Sequence, residues 1–311
     1  MERSALLHIA SGIGNIVFAT PLLVALSELE FTVDVKLDAD YPSACEILQP
    51  WSIIRAIRRQ VDLGSYSYVI PAIPPFYWPR FARLYKNVQQ AVRRPPDSLF
   101  YQNEQEFHLS FARELGYPRD RRPYYRLPIS ASSSEEVSST TLVIAPGCKT
   151  GEMALKRWPF FPQLAERFPD VVIVGTNDDL RDAHNASFRF PAHVRSLVDR
   201  LSLRETAECL ASAGVVVAND SGLAHVAGAV GAPTVILFGP TPDRTLGQFP
   251  ENVCVLRAGL PCEPCWFGRR FQACNRRIDC LHEIGVDEVE WVVRRFLGAL
   301  SPVHIKVTAE N

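Results

Sequence analysis

The stretch Asn219-Asp220-Ser221-Gly222-Leu223-Ala224-His225 gathers a carboxylate, a hydroxyl, a glycine and an imidazole within seven residues. It separates an apolar run, Val215 to Ala218, from a small-residue helical pattern, Ala224 to Val230. A strand that runs into a helix leaves free backbone amides at the helix start, with the dipole behind them, which is a ready anion site. Gly222 lets a ligand approach the backbone closely. Ser221 can cap the helix or donate to a phosphate, and His225, one turn inside, can face the same anion. A plainer account also fits: Asp220 and Ser221 cap the helix, and His225 is a satisfied structural histidine.

A second set is Lys156-Arg157-Trp158-Pro159, after the small loop Pro146-Gly147-Cys148-Lys149-Thr150-Gly151 and before a helix. A lysine at such a crossing can neutralise a departing diphosphate without metal. The alternative is a solvent-facing Lys-Arg pair with Trp158 in the core. The run Val235-Ile236-Leu237-Phe238-Gly239-Pro240-Thr241-Pro242 is a strand entering a rigid turn, which in a parallel sheet opens beside the Asp220 loop. A third set is Cys262, Cys265, Cys274 and Cys280, spaced C-x2-C-x8-C-x5-C. Four thiolates suit Zn or Fe in a structural role, because they leave no open position for substrate; free thiols or disulfides are the alternatives. Cys45, Cys148, Cys209 and Cys254 read as ordinary small buried residues.

The elements that position these groups alternate short β-branched runs with helical patterns, the signature of parallel sheets flanked by helices. Leu6 to Ala10 reads as a strand, followed by the loop Ser11-Gly12-Ile13-Gly14-Asn15 and a helix opening at Thr20-Pro21. Phe31 to Leu37 and Tyr68 to Ile73 read as further strands, the latter ending in Pro74-Pro75-Phe76-Tyr77-Trp78-Pro79. A serine-rich stretch, 130–141, reads as an interdomain linker. Strands then recur at Leu142 to Ala145, Val171 to Gly175, Val215 to Ala218 and Thr234 to Phe238. Helices are expected over Pro162 to Phe168 and Leu203 to Ala213, the second opened by a Ser202/Glu205 capping box and stopped by a left-handed Gly214. Asp287 to Leu300 is an amphipathic helix with Val289, Val292, Val293, Phe296 and Leu297 on one side.

Taken in order, the stretches 12–21, 156–159, 219–222 with His225, and 238–241 resemble glycosyltransferase family 9, the lipopolysaccharide heptosyltransferase-like enzymes. The resemblance implies an α/β chain of GT-B architecture, two Rossmann-like domains whose parallel sheets face a cleft. Residues 1–129 would bind the acceptor. Residues 142–286, with the Cys-rich segment 262–280, would bind a nucleotide-diphosphate sugar, and residues 287–311 would form a closing helix and tail. It also implies an inverting, metal-independent transfer of a heptose-like or other hexose unit to a hydroxyl of a glycan, glycolipid or protein. On the donor side it implies Gly147, Thr150, Lys156, Asp220, Ser221, Gly222 and His225, with Asp178 or Asp179 for the ribose hydroxyls and Leu201 at the base pocket. Gly12 and Gly14 fall in the acceptor-side loop. Where the family commonly carries Asp in that loop, this chain has Asn15. An amide cannot take the acceptor's proton. Three readings stand open: Asp38, Asp40 or Asp97 serves as base, the leaving phosphate takes the proton while Asn15 orients the nucleophile, or the chain binds nucleotide sugars without turnover.

A nicotinamide-dependent Rossmann enzyme is a weaker alternative, because Val17 occupies the position of the third fingerprint glycine. The 311 residues exceed one ordinary core, so two domains are expected. A net charge of −1 argues against nucleic acid as a partner. Eight basic residues against two acidic ones between Trp51 and Tyr101 offer either an anionic-acceptor or membrane-surface face, or two solvated helix faces. With no signal-peptide pattern and no 18-residue apolar stretch, the expected location is the cytoplasm, with peripheral contact at the inner membrane.

Overall fold

The computed structural model describes residues 3–38, 42–131, 136–149, 155–266, 274 and 277–298. Four strands, β1 (Ser4–Ile9), β2 (Thr32–Leu37), β3 (Ile54–Arg58) and β4 (Tyr68–Ala72), pair in parallel in the order β3-β2-β1-β4. Helices α1 (Ile13–Phe18) and α2 (Thr20–Glu28) follow β1, and α3 (Trp78–Tyr85), α4 (Asp97–Gln102) and α5 (Glu104–Glu114) follow β4. The second sheet has six parallel strands: β5 (Leu142–Ala145), β6 (Val171–Ile173), β7 (Arg195–Ser196), β8 (Val215–Asn219), β9 (Thr234–Leu237) and β10 (Val253–Leu256). Their order is β10-β9-β8-β5-β6-β7. Among them run α6 (Phe161–Ala165), α7 (Leu203–Ser212) and α8 (Gly222–Ala229), and α9 (Asp279–His282) and α10 (Val286–Phe296) follow. The strand order reverses between β1 and β4 in one sheet and between β5 and β8 in the other. Doubly wound sheets open a ligand crevice at such switch points, beyond the strand carboxyl ends.

Strands covered on both faces are apolar throughout, which is why β5, β8 and β9 are wholly buried. β3 escapes that pattern because it is an edge strand carrying Arg55 and Arg58. Both guanidiniums reach back to Asp34 of β2, which is 1% exposed and also accepts a 2.8 Å hydrogen bond from Tyr66. Arg94 is paired with Asp97, donates to the Ile73 carbonyl and lies over the Trp78 and Phe107 rings. The basic stretch is therefore not one free cationic face: at least three of its eight cations hold carboxylates.

The Ser202/Glu205 capping box forms as read from the sequence. Gly214 does not end α7 in the left-handed region; Ala213 caps the helix in extended conformation. Glycine is required there for space, since a Cβ would stand 2.3 Å from the Ser139 carbonyl oxygen. α10 begins at Val286, and Val289, Val292 and Val293 form its buried stripe as expected; residues 299 and 300 of the expected helix lie outside the described residues. Of the serine-rich stretch, residues 132–135 also lie outside them, while Val137 is buried.

One apolar core joins the two sheets. Phe18, Leu22, Phe107 and Phe111 belong to the same buried cluster as Leu210, Val226 and Phe238. α1 packs against α8. The chain between the sheets seals this seam: Tyr125 meets Phe18 edge-on at 5.2 Å, and Leu127 donates its amide to the Ala229 carbonyl. A second core under α6 and α10 centres on Trp158, Phe161, Leu281 and Val293.

Candidate active site

Asp220 follows β8 and is 6% exposed. Its Oδ2 accepts from Lys156 Nζ at 2.7 Å and from Thr241 Oγ1 at 2.6 Å, and its Oδ1 accepts from His225 Nε2 at 3.2 Å. Burial works to raise its pKa, but the Lys156 charge and the His225 bond outweigh it and hold the carboxyl well below the usual range. Ser221 is the N-cap of α8 without a side-chain cap bond. The capping account of Asp220 and Ser221 thus gives way to a buried ion cluster that ties three separate segments together. His225 is only partly satisfied, because its Nδ1 is buried with no protein partner.

Lys156 is not solvent-facing; its side chain is 13% exposed. Arg157 is buried as well and acts as a bracket, donating to the carbonyls of Cys148, Asp178 and Arg181. Trp158 donates its backbone amide to Asn219 Oδ1 at 2.8 Å and its indole N–H to the Ile284 carbonyl at 3.0 Å. These bonds fix the two residues that follow the ammonium-bearing Lys156.

The other expected donor residues sit at the carboxyl ends of successive strands. Asp220 follows β8, Gly147 follows β5, Asp178 follows β6 and Leu201 follows β7. Gly147 faces Asp179 so closely that a Cβ would overlap its carboxylate, at 2.0 Å. Asp179 is occupied by the amide and hydroxyl of Thr176, whereas Asp178 is exposed. Leu201 lines a pocket of about 300 Å³ with Leu197, Arg200 and Glu205. Thr150 lies outside the described residues.

The segment Gly12–Asn15, expected as a loop, is instead the N-cap and first turn of α1, and it meets this group across the seam. A Cβ on Gly14 would stand 3.1 Å from the His225 ring, and one on Gly222 would stand 2.9 Å from the Ile13 side chain. Bare backbone on both sides is what lets the two helix starts touch.

A family model described as "Glycosyltransferase family 9 (heptosyltransferase)" matches residues 85–271, more than half of the chain. The chain belongs to glycosyltransferase family 9. Among curated relatives, lipopolysaccharide heptosyltransferase 1 of Pseudomonas aeruginosa is 41% identical over 70 residues, 22% of this chain and 20% of that protein. Lipopolysaccharide heptosyltransferase 2 of Escherichia coli is 35% identical over 112 residues, 32% and 31% of the two chains. The matched segments thus span about a third or less of these relatives. Among solved structures, E. coli ADP-heptose heptosyltransferase II superposes with a TM-score of 0.71 at 19% identity, covering 96% of this chain and 99% of that one. The iron-containing dodecameric glycosyltransferase TibC of enterotoxigenic E. coli gives 0.65 at 16% identity, covering 96% and 77%. The fold is that of these GT-B enzymes, as the sequence resemblance implied.

Within this family 9 chain the carboxylate nearest Asn15 is one that sequence reading missed. Asn15 Nδ2 donates to Glu104 Oε1 at 2.7 Å, and Glu104, at the first turn of α5, is 3% exposed. Asp38 is held by His8 and Lys36, Asp97 pairs with Arg94, and Asp40 lies outside the described residues. Glu104 lies 89 positions from Asn15, so no local pattern could reveal the contact.

The cysteines border the site loop. The amides of Cys265 and Trp266 both donate to the Pro240 carbonyl, at 3.0 and 2.8 Å, one residue before the Thr241 that holds Asp220. A Cβ on Gly239 would stand 3.2 Å from Cys280 Sγ. Burial first, then the charges of Glu263 and the other three cysteines, push the Cys280 thiol up to about 12. The four thiols therefore share one field, although among the described residues no group of three His, Cys, Asp or Glu side chains converges in metal-holding geometry. Among the described residues no helix is long and apolar enough to cross a membrane.

Proposed function

We propose that the chain is an inverting glycosyltransferase that moves a sugar from a nucleotide-diphosphate donor to an acceptor hydroxyl of a surface glycan, glycolipid or protein. The observation that carries this reading is the buried Asp220–Lys156–His225–Thr241 cluster at the start of α8, against the Gly12–Asn15 segment. Lys156 supplies a fixed ammonium beside the amide-rich helix start, where the charge of a leaving diphosphate develops. Preorganised charge of this kind acts without the cost of reorienting solvent. Gly147, Asp178 and Leu201 extend the site along β5, β6 and β7, three strand spacings of roughly 4.8 Å from β8. That row suits an extended nucleoside diphosphate, with the diphosphate at Asp220–Gly222, the ribose at Asp178 and the base at Leu201. ADP-heptose is the first donor to examine, since E. coli heptosyltransferase structures of this fold carry ADP or an ADP-heptose analogue.

The four-cysteine set has the donor chemistry for a structural Zn or Fe beside the Gly239–Thr241 loop, although the four side chains do not converge on one point, and metal content is the direct test of that part of the reading. Binding of ADP by calorimetry and ADP release from ADP-heptose test the proposal together. Lys156→Met should lower turnover more than ADP affinity, because its contact strengthens in the transition state. Normal turnover in Lys156→Met, or a parent that binds no ADP, removes the reading.

A further inference from the structure

We propose that Glu104 is the catalytic carboxylate of this chain, receiving the acceptor's proton in the place left open by Asn15. The inference rests on the transferase reading above. Asn15 and Glu104 form one hydrogen-bonded pair of 2.7 Å, so the site carries one carboxylate and one amide rather than a lone carboxylate on the loop. The negative charge has moved across a single hydrogen bond. Glu104 is kept in place by several features. Asn103 caps α5 by accepting from the Glu106 amide, and Glu104 stands at the first helical position, where the helix dipole favours a carboxylate. The next residue, Gln105, donates to the Gln248 carbonyl at 2.9 Å, tying the start of α5 to the loop that follows Thr241.

The surroundings of the pair contain polar atoms that the protein does not satisfy. His108, one turn along α5, has Nε2 3.9 Å from Glu104 Oε1, and both its ring nitrogens are buried without a hydrogen-bond partner. The His225 ring, whose Cδ2 edge faces Gly14, also has an unpartnered buried Nδ1. Buried polar atoms are almost always bonded in a folded protein, so the orphaned His108 nitrogens beside Glu104 mark where water or a polar ligand atom belongs. Asn15 spends an N–H on Glu104, which leaves its amide oxygen with acceptor capacity for a hydroxyl.

In the step, the acceptor oxygen forms a bond to the anomeric carbon as the bond from that carbon to the diphosphate oxygen breaks. The electron pair leaves with the diphosphate, and the hydroxyl proton passes to Glu104. Nothing is oxidised or reduced.

The test uses the full chain with ADP-heptose, heptose-free lipopolysaccharide core as acceptor, and ADP binding as a separate readout. Glu104→Gln keeps the shape and the acceptor oxygen for Asn15, so it should bind ADP within threefold of the parent yet transfer at least a hundredfold more slowly. The double variant Asn15→Asp with Glu104→Gln returns the carboxylate to the loop side of the same hydrogen bond. It should recover at least tenfold over Glu104→Gln alone, which a merely structural glutamate would not produce. Glu104→Gln within threefold of the parent rate, or no recovery in the double variant while it still binds ADP, overturns the proposal. A parent that binds ADP but releases none from ADP-heptose overturns the transferase reading, and this proposal with it.

Discussion

Removing the Asp220 carboxylate should be costly in a way that depends on Lys156. At 2.7 Å and an effective dielectric near 20, opposite unit charges attract by about 6 kcal/mol. Burying each ion costs several kcal/mol, so the intact pair contributes little net, but breaking a buried pair from one side costs about 3–5 kcal/mol. Asp220→Ala leaves the Lys156 ammonium, 13% exposed, without its carboxylate, and also strips Thr241 and His225 of their acceptor. Urea denaturation should therefore place Asp220→Ala about 3–5 kcal/mol below the parent, and Asp220→Ala with Lys156→Met at least 2 kcal/mol above the sum of the two single losses. Acid should tell the same story. The folded carboxyl lies below its unfolded value of about 3.9, so its stabilisation is present above that pH and is lost as pH falls further. Asp220→Asn should accordingly flatten the loss of stability below about pH 4. A loss under about 1 kcal/mol in Asp220→Ala, or additivity of the two substitutions within about 0.5 kcal/mol, would refute the argument.

Other outcomes follow from separate parts of the structure. His8 is fully buried between Tyr85 and Asp38; burial, aided by the Lys36 charge, lowers its pKa to about 4. The unfolded chain binds the proton first as pH drops from about 6.5, so stability should fall by roughly 3 kcal/mol towards pH 4, a decline that denaturation of His8→Gln should show reduced. Gly214→Ala forces a Cβ onto the Ser139 carbonyl and should lower the urea midpoint by about 1–3 kcal/mol equivalent while leaving ADP affinity unchanged. Ser202→Ala removes the α7 cap and should cost about 1 kcal/mol by the same measurement. Elemental analysis of untagged protein should find close to one Zn or Fe per chain, and Cys265→Ser with Cys280→Ser should lose it; a folded, active preparation without metal would remove that site.

What the sequence disclosed was governed by range. β5, β8 and β9 are covered on both faces, so their runs of Val, Ile and Leu read as strands directly. β3 interrupts its apolar residues with Arg55 and Arg58 because it borders solvent, and these arginines answer a buried Asp34 some 20 residues earlier. The Asp220 loop was legible as a candidate because its residues adjoin in the chain. Whether Asp220 capped a helix or held a cation was not, since Lys156 lies 64 positions away and Thr241 lies 21. Gly214 misled for a related reason: its need for space comes from Ser139, a residue that no local turn rule includes.

The apolar seam between α1 and α8 also bears on how the molecule can move. Phe18, Tyr125 and Val226 fasten the two halves in one apolar cluster, and two further bonds, from the Arg204 amide to Glu46 and from Gln105 to the Gln248 carbonyl, join them elsewhere, so a change of relative angle that keeps the seam packed must give up these outer bonds. Displacement in a rotation grows with distance from the axis. Groups packed on the seam, the Gly14 backbone and the His225 ring among them, move least in such a turn. A swing of 10° carries an atom 20 Å from the axis about 3.5 Å, roughly the length of one residue in a strand, but shifts an atom 4 Å away by only about 0.7 Å. A turn about this seam would thus change the spacing of the outer parts of the two halves while leaving the groups packed on it almost unmoved.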